Sequence, residues 1–169
     1  LGYRRSIVLG GLFMAAGEFT LMVPQKNMFY FGLALLIVGN GLFKPNISTL
    51  VGKLYKPGDP RRDGGFTIFY MGINIGAAIA PVACQAISAW MGTPSVGVIG
   101  EAGYIPAVPD YRFGFMVAGA GMLLGLICFG LFTRHLHGQG TAPAGKEGWG
   151  PIIKVVLGGL IVAPAIYLL

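Results

Sequence analysis

The chain consists of long apolar runs separated by short polar segments. Continuous apolar runs lie at about 6–23, 28–54, 66–91, 113–133 and 151–169. Because apolar residues follow one another without alternating with polar ones, the pattern predicts helices and argues against the strands of a membrane barrel. At 1.5 Å per residue the first run reaches roughly 27 Å, enough to cross the hydrocarbon core of a bilayer. The predicted fold class is therefore all-α, a polytopic transmembrane helical bundle.

The composition also indicates a membrane protein. Hydrophobic residues make up 54% of the chain and charged residues only 11%, whereas a soluble domain carries about 25% charged residues. The net charge of +6 does not indicate a nucleic-acid partner, because the charges lie in the short segments between apolar runs, as membrane topology requires. Cys84 and Cys128 both fall inside apolar runs, and no CxxC or other metal-ligand spacing is present. Neither a cofactor nor a metal is expected.

The distribution of basic residues predicts the orientation of the bundle. One side holds Arg4, Arg5, Lys53, Lys56, Arg61, Arg62, Arg134 and Lys146. The opposite side holds Lys26 and Arg112. Since cytoplasmic segments are enriched in lysine and arginine, the loop 53–65 and the connector 134–150 are predicted to be cytoplasmic. The chain is then a multi-pass protein of the inner (cytoplasmic) membrane.

The second apolar run, 28–54, has two unusual features. It would be roughly 40 Å long if fully helical, so it is expected to be tilted or broken, and Pro45 is the obvious break. Its polar residues Asn40, Lys44 and Ser48 are spaced by four and share one helix face. This polar stripe is predicted to face the interior of the protein.

Lys44 is the strongest candidate for a functional residue. It lies about 13 Å from Lys53 at helical rise, and a lysine near the centre of a bilayer costs about 2.5 kcal/mol or more. One interpretation is that Lys44 lines a polar cavity, with Asn46 beside it, and binds a carboxylate or couples to proton movement. The alternative is a structural ion pair that fixes helix packing.

Polar side chains in two other runs are weaker candidates. Tyr70 and Asn74 are four residues apart on one face of the third run, and Asn74 can both donate to and accept from an amide group. The alternative for both is a hydrogen bond between helices. Glu18, in the first run, is either a proton carrier or the partner of a basic group on a neighbouring helix.

Two of these segments carry a family resemblance. They are GNGLFKPNISTLVGKLY, Gly39 to Tyr55, and FTIFYMGINIGA, Phe66 to Ala77. In this order, and joined by RRDGGF, they resemble the proton-dependent oligopeptide transporter family of the major facilitator superfamily. The resemblance implies that 1–133 is part of an amino-terminal six-helix bundle, from its third to its sixth helix. The connector 134–150 would then lead to a further transmembrane helix at 151–169, truncated or just complete, which is either an inserted helix or the seventh.

The resemblance also implies roles for two residues. Lys44 matches a lysine of the family's fourth helix that is associated with proton coupling and with the peptide carboxylate. Asn74 matches an asparagine of the fifth helix that hydrogen-bonds the peptide backbone. The family's first-helix Glu-x-x-Glu-Arg motif and its carboxy-terminal bundle are not in this sequence. We therefore expect the chain to need the remainder of a full-length transporter and to be inactive alone.

The predicted function is proton-coupled symport of di- and tripeptides by alternating access, not enzymatic catalysis. An alternative is the same fold carrying nitrate or another small solute, because Lys44 and Asn74 also suit an anion. A second alternative is a membrane subunit of an enzyme complex. That class would favour paired histidines inside the helices, but His135 and His137 both lie outside the apolar runs.

Overall fold

The chain folds into five α-helices in the computed structural model, which describes residues 2–96, 105–136, 138–141 and 150–168. The helices are α1 (Tyr3–Leu21), α2 (Lys26–Lys53), α3 (Arg61–Trp90), α4 (Tyr111–Phe132) and α5 (Gly150–Leu168), and a short 3₁₀ helix, Thr133–Leu136, continues α4. Within the predicted connector, residue 137 and residues 142–149 lie outside the described part. Two isolated antiparallel bridges, Thr93 with Val108 and Val96 with Ile105, join the ends of the segment between α3 and α4.

Helices α1 and α2 form a close antiparallel pair through matched glycines. A Cβ atom on Gly10 would lie 2.7 Å from the carbonyl oxygen of Gly39, and one on Gly17 would lie 2.8 Å from that of Gly32. The two glycines are seven residues apart in each helix, so both pairs lie along one seam. Beside this seam, Ala34 and Leu35 are buried against Phe13 and Phe31. Backbone contact between small residues is the usual way in which membrane helices approach closely.

The prediction that α2 breaks at Pro45 is wrong. The helix runs through Pro45 from Lys26 to Lys53. Pro45 removes one backbone hydrogen bond, but polar side chains supply others nearby. Asn46 Nδ2 donates to the carbonyl of Leu42 at 2.7 Å, and Thr49 Oγ1 donates to that of Pro45 at 2.8 Å. Both bonds lie within one turn of the proline, but neither reaches the carbonyl of Gly41, which is the acceptor that Pro45 leaves without its backbone donor.

Helix α3 begins earlier than the sequence pattern predicts. It starts at Arg61, so residues 61–65 of the predicted loop 53–65 belong to the helix. Asp59 Oδ1 accepts a hydrogen bond from the backbone N–H of Arg61 at 2.9 Å, and its carboxylate pairs with the Arg61 guanidinium at 2.8 Å. Hydrogen bonds from Arg61 also lower the pKa of the Asp59 carboxyl. An aspartate just before the first turn stabilises a helix start, whereas apolar patterning marks only the stretch from Phe66.

The helices pack as a bundle that leaves much apolar surface uncovered. Helix α1 packs against α2 and α4, α3 packs mainly against α4, and α5 packs against α2. Along α3, every residue from Met71 to Val82 is exposed. Three described helical segments are long and apolar enough to cross a membrane, namely α2, α3 and Tyr111–Leu136. The predicted all-α transmembrane bundle is confirmed. Spanning by α1, which carries Arg4, Arg5 and Glu18, stays a prediction, as does spanning by α5.

Candidate functional site

The polar stripe of α2 lines an open groove on that helix. The groove has a volume of about 490 Å³ and is lined by Ile37, Asn40, Gly41, Lys44, Pro45 and Ser48. We call it the α2 groove. All of its lining residues belong to one helix, so the groove has a floor and no facing wall among the described residues. The predicted grouping of Asn40, Lys44 and Ser48 thus corresponds to a concave surface.

Among the described residues, Lys44 is the one charged residue that lines the α2 groove, and its side chain is exposed. Within the described part of the chain, the ion pairs join Arg61 to Asp59 and Arg112 to Asp110, and neither involves Lys44. Its backbone carbonyl accepts a hydrogen bond from Ser48 Oγ at 3.1 Å. The described structure therefore presents the Lys44 ammonium group without a carboxylate partner.

Asn46 does not belong to the α2 groove. Its side-chain amide donates to the carbonyl of Leu42 in its own helix, and Asn46 is absent from the residues that line the groove. The sequence placed Asn46 beside Lys44 as a candidate because the two are separated only by Pro45. Helical geometry instead turns their side chains by about 200° relative to each other.

Tyr70 and Asn74 share a second groove, on α3. It has a volume of about 750 Å³, and its lining residues are Phe66, Thr67, Tyr70, Met71, Asn74, Ile75 and Ala78. We call it the α3 groove. The ring of Tyr70 stacks on that of Phe66 with centroids 6.4 Å apart and contacts Phe69 edge-on at 5.5 Å. Asn74 lies one turn further along the same face and lines the same groove.

Glu18 lies apart from both grooves. It lines a cavity of about 320 Å³ between α1, α3 and α4, together with Gln85, Ser88 and Tyr111. The Ser88 hydroxyl is fully buried and has no hydrogen-bond partner within the described residues. The structure thus does not bring Glu18 together with the stripe on α2.

Sequence reasoning missed the apolar members of both grooves. Ile37 lies three residues before Asn40, and Met71 lies three residues before Asn74. The signal was present, because residues three or four positions from a candidate polar residue share its helix face.

Comparison with known proteins identifies relatives of this chain. Residues 4–145 match the model described as the POT family. The uncharacterized transporter YclF of Bacillus subtilis is 42% identical over 134 residues, which are 79% of this chain and 24% of YclF. Dipeptide and tripeptide permease B of Yersinia enterocolitica is 34% identical over 164 residues, which are 95% of this chain and 30% of the permease.

A solved structure shares the fold. The crystal structure of a POT family transporter in complex with a thioalcohol conjugated peptide matches with a TM-score of 0.68 at 34% identity. The match covers 98% of this chain and 32% of that transporter. The chain thus spans about a quarter to a third of the length of the relatives that it matches.

Proposed function

Since this chain belongs to the POT family, we propose that it is part of a carrier that imports di- and tripeptides together with protons across the cytoplasmic membrane. The names of its relatives support transport in general, and one of them is a dipeptide and tripeptide permease. The chain spans only part of their length, and in this proposal further helices of the complete carrier would face the α2 and α3 grooves.

Lys44 is the observation that carries this proposal. A cation on a helix that crosses a bilayer is costly unless a partner or water receives it. The described residues provide no carboxylate partner for Lys44, and its ammonium group lies in the α2 groove. A peptide has one carboxylate at its carboxyl end, and a charge-assisted hydrogen bond to it would satisfy the lysine.

The α3 groove supplies chemistry that suits the rest of a peptide. The amide of Asn74 can donate to a peptide carbonyl and accept from a peptide N–H. The rings of Phe66 and Tyr70 give an apolar surface for a peptide side chain. In alternating access two helical bundles rock around a site near the bilayer midplane, and these two grooves are the part of such a site that this chain contributes.

Proton coupling is proposed through competition for Lys44. In the empty carrier Lys44 pairs with an acidic residue of a helix outside this chain. When that acid takes up a proton its negative charge is lost, and Lys44 becomes free to bind the peptide carboxylate. Entry of a proton and binding of a peptide then favour the same state of the carrier.

Uptake of a labelled dipeptide into liposomes that contain the full-length carrier tests this proposal. An inward proton gradient should drive uptake in the wild type, and Lys44→Ala should lower it about tenfold or more, because a hydrogen bond to a charged group contributes about 1.5–3 kcal/mol. Lys26→Ala is the matched control. Lys26 lies at the exposed start of the same helix, with its Nζ 6.0 Å from the Tyr30 ring centroid.

Two results would oppose the proposal. Gradient-driven uptake that Lys44→Ala leaves intact would remove the role of Lys44. A wild-type carrier that transports nitrate but no dipeptide would replace the peptide by a small anion in the same site.

A further inference from the structure

A basic cavity lies at the opposite end of α2 from the turn to α1. It has a volume of about 540 Å³ and is formed where α2 ends, α3 begins and the chain continues beyond α4. Its cationic lining residues are Lys53, Lys56 and Arg62, and none of the described residues that line it is acidic. We call it the basic cavity. Three positive charges around one concave surface are suited to an anion.

These three charges are not neutralised by carboxylates within the described part of the chain. Asp59 lies between Lys56 and Arg62 in the sequence, but its carboxylate pairs with Arg61 instead. Two of the cations contact aromatic rings, Lys53 at 4.8 Å from the centroid of Tyr3 and Arg62 at 5.9 Å from that of Phe66. Such contacts position a cation without cancelling its charge.

Hydrogen bonds hold the far wall of the basic cavity in place. Gln139 lines that wall. Arg4 Nε donates to the carbonyl of Gln139 at 2.6 Å, and the backbone N–H of Arg4 donates to the carbonyl of Gly140 at 3.0 Å. The start of α1 thereby fixes the segment that follows α4. Leu54 and Leu136 give the same cavity an apolar side.

We propose that the basic cavity binds the phosphate-bearing headgroup of an anionic phospholipid. This inference rests on the membrane placement proposed above, in which the end of α2 and the start of α3 lie at the cytoplasmic surface. Basic pockets between transmembrane helices on that side suit anionic headgroups. The guanidinium of Arg62 matches phosphate geometry, and Leu54 and Leu136 can contact the glycerol and upper acyl carbons. A free phosphate ion would use the charges but not the apolar side.

Lipid titration of the purified full-length carrier tests this site. Native mass spectrometry would follow the binding of phosphatidylglycerol and of phosphatidylcholine, which has a similar size and no net charge. We expect the wild type to prefer phosphatidylglycerol. Arg62→Gln should weaken phosphatidylglycerol binding about fivefold. Arg62→Lys, which keeps the positive charge, should retain most of the wild-type affinity. Combining Lys53→Gln and Lys56→Gln with Arg62→Gln should remove the preference.

Arg61→Gln is the matched control. Arg61 neighbours Arg62 in the chain and carries the same charge, but it pairs with Asp59 and does not line the cavity. An equal loss of binding in Arg61→Gln would show a diffuse surface effect and overturn the site. Inorganic phosphate that displaces phosphatidylglycerol at equal concentration would overturn the lipid and assign the cavity to free phosphate. Lipid binding is measured without transport. A negative result for the lipid site can therefore be told apart from a negative result for the proposed peptide import.

Discussion

The polar side chains close to Pro45 in the sequence make different interactions. Asn46 and Thr49 donate to carbonyl groups of their own helix, close to the proline. Lys44 makes no such side-chain bond that the structure describes and lines the α2 groove. Ser48 does both, since it lines the groove while donating to the carbonyl of Lys44. The polar side chains near the proline are thus divided between bonds within α2 and the lining of the α2 groove.

Asn46→Ala and Asn74→Ala should therefore differ in their effect on transport. Asn46→Ala removes a bond within α2, so it should destabilise the carrier by about 1 kcal/mol and leave the affinity for a dipeptide nearly unchanged. Asn74→Ala removes an amide from the α3 groove and should weaken dipeptide binding about fivefold to tenfold. Dipeptide affinity and thermal unfolding, measured for both variants in detergent, check this. The assignment is contradicted if Asn46→Ala weakens binding as much as Asn74→Ala.

Residue spacing along one helix was enough to predict which polar residues line the α2 groove. Asn40, Lys44 and Ser48 share a groove because residues four apart on a helix share a face, whatever surrounds them. The local bond of Asn46 depends on its rotamer at the proline, which the sequence does not encode in a simple pattern. The position of Glu18 depends on how α1 packs against α3 and α4. A single-helix argument could not place it.

At the scale of the helices, the seam between α1 and α2 determines how α2 is held. Gly10 meets Gly39 and Gly17 meets Gly32 at distances that leave no space for a side chain. Small residues spaced by four also occur at Gly72, Gly76 and Ala80 and at Gly121 and Gly125, and this spacing permits close approach of membrane helices. A Cβ atom on any of these four glycines would meet nothing within 4 Å. Spacing of seven, repeated in two adjacent runs, was the signal for the real seam.

Gly39→Ala should destabilise the carrier, and Gly41→Ala should not. A Cβ atom on Gly39 would lie 2.6 Å from the Gly10 carbonyl oxygen and 2.8 Å from the Met14 backbone nitrogen. The two helices would have to separate, at a cost of about 1–3 kcal/mol. A Cβ atom on Gly41, two residues further along α2, would have open space. Thermal unfolding of the two variants in the same detergent measures the difference, and equal unfolding temperatures would show that the seam does not limit packing.

At the scale of the molecule, the described chain presents two open grooves and encloses neither. The α2 groove and the α3 groove are each lined by one helix, and α3 is exposed along its apolar centre. The relatives are about three to four times longer than the matched region. Apolar runs and two motifs sufficed to predict the membrane class, the major facilitator fold and the family. They could not predict what faces Lys44, because no described helix closes the α2 groove opposite it.

The central claim is that Lys44 binds the carboxylate of the transported peptide. The measurement that tests it most directly is the affinity of the full-length carrier for a dipeptide and for its carboxyl-terminal amide, in the wild type and in Lys44→Ala. The wild type should bind the free carboxylate at least about tenfold more tightly than the amide, and Lys44→Ala should bind both equally. Lys44→Ala that still prefers the free carboxylate by the wild-type factor would contradict the account.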